Sequence, residues 1–389
     1  MSLLAELAGL AWDGRFTTAD HALAEVADDF GHIVRRRPIG VLRPGSVDDV
    51  DTLLRAAEDV PVVARGRGHS TYGQAQTDGI VLDMGGLAGV GPVAGDRITV
   101  QAGADWRSVL TATLRHGLTP PVLTDYLGLS VGGTLSVGGI GGTSHRYGAQ
   151  TDQVTHLDVA TPEGHHRCTP DDDLFHAVLA GQGRHGVITA ATVRLIPAPA
   201  TVRRHQLHYS GLDALLAGQH ALLDRVDFLQ ADVLPGETGW QYVLDVVAER
   251  LPATHHTSDD AETLPYLDFA DRLADGEAYL RATGEWLHPH PWWTAFLPAA
   301  TANAFLDRLV AELTPADIGP SGLMLTYPIP TAVLTTRQLE VPAGDLAVHV
   351  SVLRTNTPDT VPAALATNQT WHDRAVAEGG TIYPIGTTG

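Results

Sequence analysis

The sequence contains no lysine, and all 25 basic residues among its 389 residues are arginines. Without an ε-ammonium group, the chain lacks the means for Schiff-base chemistry, for a lysine general base and for a Walker loop ending in Gly-Lys. Acidic residues outnumber basic ones by 45 to 25, which gives a formal net charge of −20. This surplus argues against a nucleic-acid partner, because phosphate binding requires a clustered basic face.

Cysteine and long apolar runs are almost as scarce. The single cysteine, Cys168, permits no intrachain disulfide, so the fold requires no oxidising compartment. The sequence has no run of about 18 or more apolar residues, and its N-terminus lacks the pattern of a secretory signal. We therefore expect a soluble, cytoplasmic protein that has no membrane partner.

Local patterns predict mixed helices and strands in the first half of the chain. Residues 1–37 have apolar side chains at three- and four-residue spacings, which predicts amphipathic helices. Ser46 then begins a predicted helix between two short apolar strands. This β-α-β unit leads directly into a glycine-rich stretch at residues 64–70.

The second half has longer helical patterns, among them residues 267–283, between strand-like runs. A proline-rich linker at 197–200 separates the two halves. The sequence therefore predicts an α+β protein with two domains, residues 1–199 and 200–389.

Two glycine-rich segments are the first candidates for a binding site. In residues 64–70, glycines after a strand let backbone N–H groups converge on a phosphate without a cationic side chain. Thr71 stands where the dinucleotide fingerprint has its third glycine, so a turn that only reverses the chain is an alternative. Residues 130–142 contain six glycines in thirteen positions, which predicts neither a regular helix nor a strand. With Asp125 between them, the segments suggest one extended cofactor.

These motifs resemble those of the cytokinin dehydrogenases in the vanillyl-alcohol oxidase superfamily of flavoproteins. The resemblance rests on the stretches 66–70, 73–75, 124–127, 131–136, 186–189, 266–272 and 289–292. It implies a FAD-dependent oxidoreductase with a PCMH-type FAD-binding domain, followed by a substrate (cap) domain built as an antiparallel sheet with covering helices. It also implies a C-terminal return to the FAD domain, which we expect to be missing from this sequence.

The resemblance assigns roles to particular residues. His69, in Gly-Arg-Gly-His-Ser, matches the residue that attaches FAD covalently, a reaction that requires a neutral imidazole. Asp125 matches the aspartate that accepts a proton from the substrate nitrogen, although from the residues alone it could simply cap a turn. Trp292 and Tyr327 match substrate-pocket walls, although core packing is the commoner role of such residues. The residues that the resemblance places around FAD are Ala64, Gly66, Arg67, Gly68, His69, Ser70, Gln74, Asp125, Ser130, Ser136, Ile140 and Ile188.

The implied reaction is oxidation of a secondary amine in a small planar substrate, with a quinone or O2 as electron acceptor. Gly276 and Thr294 depart from the family pattern at positions that belong to substrate recognition. An oxidase of an alcohol, a sugar or a secondary-metabolite intermediate is therefore an alternative, as is a non-catalytic binding protein on the same scaffold. We expect no metal site, because the histidine pairs lack cysteine or carboxylate partners at ligand spacing.

Overall fold

The computed structural model describes residues 3–237, 239–252, 256–319 and 321–387. Its N-terminal part combines a four-stranded sheet, a five-stranded sheet and a two-stranded ribbon. The strands are β1 (Arg15–Thr17), β2 (Gly40–Arg43), β3 (Val62–Arg65), β4 (Ile80–Asp83), β5 (Val90–Ala94), β6 (Arg97–Gln101), β7 (Leu118–Thr119), β8 (Val154–Thr161), β9 (Gly164–Cys168), β10 (Val187–Arg194) and β11 (Ile196–Pro197). The helices are α1 (Leu3–Gly9), α2 (Asp20–Val26), α3 (Val47–Ala56), α4 (Trp106–Leu114), α5 (Val131–Leu135), α6 (Ser144–Tyr147) and α7 (Asp173–Val178).

The four-stranded sheet positions the first glycine-rich segment. Its order is β1-β2-β4-β3, and both β2 and β3 pair with β4 in parallel. Helix α3 begins after Ser46, whose hydroxyl oxygen accepts a hydrogen bond from the Asp49 backbone N–H, as predicted. The β-α-β unit is confirmed, with β4 lying between its two strands. The glycine-rich segment consequently starts at the carboxyl end of β3, the edge at which parallel sheets commonly bind ligands.

The five-stranded sheet is antiparallel, in the order β5-β6-β10-β8-β9. It shares one hydrophobic core with the first sheet, in which Trp106 of α4 is fully buried and donates a hydrogen bond to Thr134 at 2.8 Å. Thr134 belongs to α5, so the prediction that residues 130–142 contain no helix was wrong. A Cβ on Gly132 would lie 2.8 Å from the Cβ of Ala102, so glycine lets this short helix approach the sheet closely.

The prediction of helices throughout residues 1–37 was partly wrong. Helices α1 and α2 form, but β1 lies between them and pairs with β2, and the chain after α2 is irregular. Phe16 in β1 lies opposite Leu42, a buried residue of β2. Pairing of β1 with β2 at the edge of the sheet therefore outweighed the local helical pattern.

The C-terminal part is built on an eight-stranded antiparallel sheet in the order β15-β12-β14-β13-β17-β18-β16-β19. Its strands are β12 (Thr201–Tyr209), β13 (Phe228–Gly236), β14 (Gly239–Val247), β15 (Ser258–Pro265), β16 (Trp293–Pro298), β17 (Leu323–Pro330), β18 (Leu346–Leu353) and β19 (Thr381–Ile382). The helices are α8 (Leu212–Leu222), α9 (Tyr266–Ala270), α10 (Ala274–Thr283), α11 (Ala299–Glu312), α12 (Pro315–Ile318) and α13 (Val361–Ala377). Short 3-10 helices span Met84–Gly86, Gln150–Gln153, Glu285–Leu287 and Thr331–Val333.

The two faces of this sheet have different partners. On one face, Trp293 packs with Phe305 of α11 and Trp371 of α13 in a core that also includes α8. On the other face, Tyr327 shares a cluster with Ile140 of the N-terminal part. The predicted fold class, an α+β protein whose second sheet is antiparallel and covered by helices, is confirmed. The division near residue 200 remains a prediction, and β12 begins at Thr201.

The predicted helix over residues 267–283 is interrupted between α9 and α10. At this break, the Asp271 carboxylate accepts hydrogen bonds from Nε and Nη2 of Arg107, at 2.7 and 2.8 Å. The break thereby fixes Arg272 beside the N-terminal part. None of the helices in the described ranges combines the length and the apolar character that crossing a membrane requires.

Candidate active site

The loop after β3 is held by backbone contacts and by close packing. The N–H groups of Phe30 and Gly31 donate to the carbonyl oxygens of Gly68 and Ser70, at 2.9 and 3.1 Å. Gly68 has φ +66°, and a Cβ there would lie 2.2 Å from Nη2 of Arg65, so this position requires glycine.

The two glycine-rich segments meet at Gly66. A Cβ on Gly66 would lie 1.9 Å from Oγ of Ser130, so the loop after β3 lies directly against the start of α5. Below the loop, Nη1 of Arg65 is buried without a hydrogen-bond partner among the described residues. A guanidinium nitrogen that lacks a partner fits an anion such as a pyrophosphate. Arg67, which the resemblance places at the cofactor, is exposed, whereas Arg65 had no predicted role.

A buried carboxylate anchors the other side of the loop. Asp29 accepts hydrogen bonds from the Ser70 hydroxyl at 2.9 Å and the Gly73 N–H at 2.7 Å, and burial raises the pKa of Asp29. Gln74 donates from Nε2 to the carbonyl oxygen of Gly386 at 2.9 Å. Two of the predicted FAD-binding side chains, Ser70 and Gln74, thus hold the loop itself and the C-terminal segment beside it.

The ring of His69 lies in an aromatic cluster. Phe30 stacks on it with the centroids 4.0 Å apart, and His290 stacks on the opposite face of Phe30, also at 4.0 Å. The other rings near His69 are Tyr126 at 4.9 Å, Trp286 at 5.7 Å and Trp292 at 6.0 Å. Burial in this cluster lowers the pKa of His69 to about 3, so the imidazole is neutral at physiological pH.

Asp125 lies in a polar network next to this cluster. One carboxylate oxygen accepts a hydrogen bond from Nη2 of Arg272, and the other accepts one from the hydroxyl of Tyr327. Oε1 of Gln230 accepts from the same two donors, at 3.1 and 3.2 Å. Nε2 of Gln230 donates to Asp232 at 2.8 Å, and burial raises the pKa of Asp232 to about 7.

Distant elements assemble this network. Arg272 follows the α9–α10 break and lies near the rings of Phe228 and Phe269, at 4.8 and 5.1 Å. Gln230 and Asp232 lie on one face of β13. None of these polar residues had a role predicted from the sequence. The signal that could have found them is a pair of polar side chains, two residues apart, in an otherwise apolar strand.

The two departures from the family pattern lie in different surroundings. Gly276 is exposed, and no atom lies within 4 Å of a Cβ built there. The neighbouring Glu277 accepts a hydrogen bond from Arg281 at 2.9 Å, and burial together with Glu277 raises the pKa of Tyr126 to about 12. Thr294 is fully buried, and its hydroxyl donates to the carbonyl oxygen of Tyr383 at 2.6 Å.

The structure brings only part of the predicted site together. Trp292 lies beside His69, and Tyr327 contacts Asp125. Other predicted positions lie in the surrounding scaffold. Ala64 lies within β3, and Ile188 is buried in β10. The Ser136 hydroxyl donates to the Gly132 carbonyl oxygen at 2.7 Å, and Ile140 packs in the cluster of Tyr327. The touching glycine segments, the free donor of Arg65 and the neutral His69 fit a flavin dinucleotide.

Two family models match the chain. One, described as FAD binding domain, matches residues 38–169, and the other, described as cytokinin dehydrogenase 1, FAD and cytokinin binding, matches residues 240–380. An uncharacterized oxidoreductase in the fasciation locus of Rhodococcoides fascians is 40% identical, over 96% of this chain and 90% of the relative. Cytokinin dehydrogenase 3 of Arabidopsis thaliana is 32% identical, over 88% of this chain and 76% of the relative. Cytokinin dehydrogenase 10 of Oryza sativa subsp. japonica is 33% identical, over 86% of this chain and 74% of the relative. The chain therefore belongs to the cytokinin dehydrogenase family and is a FAD-dependent oxidoreductase.

Proposed function

We propose that this protein oxidises a secondary amine of a small planar substrate, with Asp125 as the base that accepts the proton of the amine nitrogen. The observation that carries the proposal is the adjacency of base and cofactor site. Asp125 directly precedes Tyr126, whose ring lies 4.9 Å from that of His69. FAD, when bound, supplies the acceptor for the hydride of the adjacent carbon, and a quinone or O2 completes the cycle.

The hydrogen bonds of Asp125 suit this role. Each of its oxygens accepts one hydrogen bond, from Arg272 or Tyr327, and keeps a lone pair for the substrate N–H. The Arg272 guanidinium supplies a counter-charge to the carboxylate. The Asp125 side chain is 18% exposed, which leaves it accessible from one side.

Aromatic walls suit a planar substrate. Trp292 lies edge-on to Phe30 at 5.2 Å and is partly exposed, so one side of its indole is available for a flat ring. Tyr327 is buried and directs its hydroxyl at Asp125. We propose that the substrate ring packs near Trp292 while its amine reaches Asp125.

The cofactor would lie along the glycine-rich segments. We propose that the backbone of residues 64–70 and 130–140 holds it, that Arg65 pairs with its pyrophosphate, and that His69 attaches to the 8α-methyl group. Support for attachment comes from the low pKa of His69, because a neutral imidazole retains the lone pair that forms the bond. The single cysteine is compatible with a cytoplasmic location, which is part of this proposal.

Anaerobic stopped-flow absorbance tests the amine reaction. Isopentenyladenine should bleach the oxidised flavin of the holoenzyme, whereas adenine, which lacks the oxidisable carbon, should leave its spectrum unchanged. Bleaching by alcohols or sugars with no response to the amine would contradict the proposal and support the alternative oxidase.

A further inference from the structure

Gln230 lies between the proposed base and a second carboxylate. It belongs to β13, and its exposed fraction is 8%. Its amide oxygen accepts hydrogen bonds from Nη2 of Arg272 at 3.1 Å and from the Tyr327 hydroxyl at 3.2 Å, and its amide nitrogen donates to Asp232 at 2.8 Å. Arg272 and Tyr327 are also the two donors to the Asp125 carboxylate. Gln230 and Asp125 therefore share both donors.

These hydrogen bonds fix the orientation of the Gln230 amide. An amide oxygen only accepts and an amide nitrogen only donates. On one side of the amide are two donors, the Arg272 guanidinium and the Tyr327 hydroxyl, and on the other side is an acceptor, the Asp232 carboxylate. A flipped amide would place its nitrogen against the guanidinium and its oxygen against the carboxylate. Only the observed orientation therefore satisfies all three contacts.

The amide nitrogen is anchored by Asp232 although another carboxylate is close. Asp245 lies directly opposite Gln230 in the β13–β14 ladder. Its carboxylate accepts hydrogen bonds from Nε and Nη2 of Arg204, at 3.0 and 2.6 Å. Asp232 is two residues beyond Gln230 in β13 and projects from the same face of the sheet. Because Asp245 is paired with Arg204, Asp232 is the residue that holds the amide nitrogen.

The Tyr327 hydroxyl has one proton and two acceptors, an Asp125 oxygen and the Gln230 amide oxygen. A carboxylate is the stronger acceptor, so the hydroxyl donates to Asp125 while that group is ionised. Once Asp125 has accepted a proton it is neutral, and the amide oxygen then competes with it for the hydroxyl. Tyr327 is buried, so a hydroxyl without an acceptor would be costly there. Gln230 supplies that acceptor.

We infer that Gln230, anchored by Asp232, is a positioning residue that keeps the two donors of Asp125 in place in both protonation states of the base. It acts through Arg272 and Tyr327 rather than on the substrate. Without Gln230, these donors would lose their second acceptor at the moment when Asp125 takes up the proton, so the cost should fall on flavin reduction rather than on substrate binding. The inference rests on the proposed amine oxidation, because it takes Asp125 as the base.

Stopped-flow reduction of the holoenzyme by isopentenyladenine tests this inference. Gln230→Met keeps the length of the side chain but removes the amide, so the limiting rate of flavin reduction should fall by about tenfold to a hundredfold, with little change in the half-saturating substrate concentration. Gln219→Met is the matched control, because Gln219 is 3% exposed and pairs with Thr326 at 2.8 and 3.1 Å. It should lower the unfolding temperature and leave the reduction rate unchanged. A wild-type rate in Gln230→Met, or an equal loss in Gln219→Met, would overturn the inference.

A double-mutant cycle tests whether Asp232 acts through Gln230. Asp232→Leu removes the anchor and should slow flavin reduction, whereas Asp232→Asn keeps an acceptor for the amide nitrogen and should retain most of the rate. In the Gln230→Met background, Asp232→Leu should add little further loss, because the amide that it anchors is already gone. Losses that add in full would show that Asp232 acts independently of Gln230, and would contradict the inference.

Asp125→Asn distinguishes failure of this inference from failure of the proposed function. In the Asp125→Asn background, Gln230→Met should have little further effect, because position 125 no longer accepts a proton. Slow reduction in Asp125→Asn together with a wild-type rate in Gln230→Met would overturn the inference alone. A wild-type rate in Asp125→Asn would overturn the base role, and the inference with it.

Discussion

Around His69 the candidate site is built from aromatic rings, whereas around Asp125 it is built from charges and hydrogen bonds. The His69 ring stacks on Phe30 at 4.0 Å, within a wall that includes Trp292. Asp125 pairs with Arg272 and Tyr327, and Gln230 shares both donors.

Burial shifts pKa values at both ends of the candidate site, the aromatic end around His69 and the charged end around Asp125. In each case it favours the neutral form of a side chain. It lowers the pKa of His69 to about 3 and raises that of Asp232 to about 7. At the second end, the proposed base itself forms an ion pair, Asp125–Arg272. An aromatic enclosure suits a neutral nucleophile held in one orientation, whereas a carboxylate must keep its charge to accept a proton, and the guanidinium provides the counter-charge.

The largest effect is expected at the aromatic end. His69→Ala should abolish acid-stable flavin, because no other imidazole occupies the same position in the loop after β3. Flavin fluorescence of the acid-precipitated protein measures this. His116→Ala, at an exposed position, should retain the wild-type signal. A fluorescent pellet from His69→Ala would show that the flavin is attached to a residue other than His69.

A large kinetic effect is expected at the charged end. Asp125→Asn preserves the shape of the side chain but removes the proton acceptor, so flavin reduction by the amine should slow by about 10²- to 10⁴-fold. Stopped-flow absorbance gives the rate, and the flavin content should stay at the wild-type level. Asp96→Asn, on the exposed side of the N-terminal part, serves as the control. An unchanged reduction rate in Asp125→Asn would remove the base role.

The smallest effect concerns stability at the charged end. Because the pKa of Asp232 is raised to about 7 in the folded protein, folding favours its protonated form, and stability is lost as the pH rises from about 4 through about 7. Asp232→Asn should therefore be more stable than the wild type near pH 8 and gain less near pH 5. The gain has an upper bound of roughly 4 kcal/mol.

Denaturant unfolding at several pH values measures this difference. Asp171→Asn replaces an exposed carboxylate and should show no difference that grows with pH. If Asp232→Asn also shows no such difference, burial does not disfavour the charge at position 232. The statement that burial favours a neutral group at the charged end would then be wrong.

Much of the first half of the fold could be predicted because its signals are local. Ser46 caps α3 within four residues, and the glycine-rich loop follows β3 directly in the chain. The prediction failed for α5, where glycines permit contact with Ala102, and for the α9–α10 break, where Asp271 pairs with Arg107. Both failures arise from partners distant in sequence, which no local pattern reports.

The sequence by itself determined the excluded chemistries, the glycine-rich segments and the candidates His69 and Asp125, because residue type and spacing carry that information. Only the tertiary structure decided which groups surround them. Arg272 and Tyr327 meet Asp125 across 147 and 202 residues of chain, and Gln230 of β13 accepts from the same two donors. The physical reason is that hydrogen bonds and desolvation depend on distances in space, which long-range packing sets, whereas local patterns extend over only a few residues.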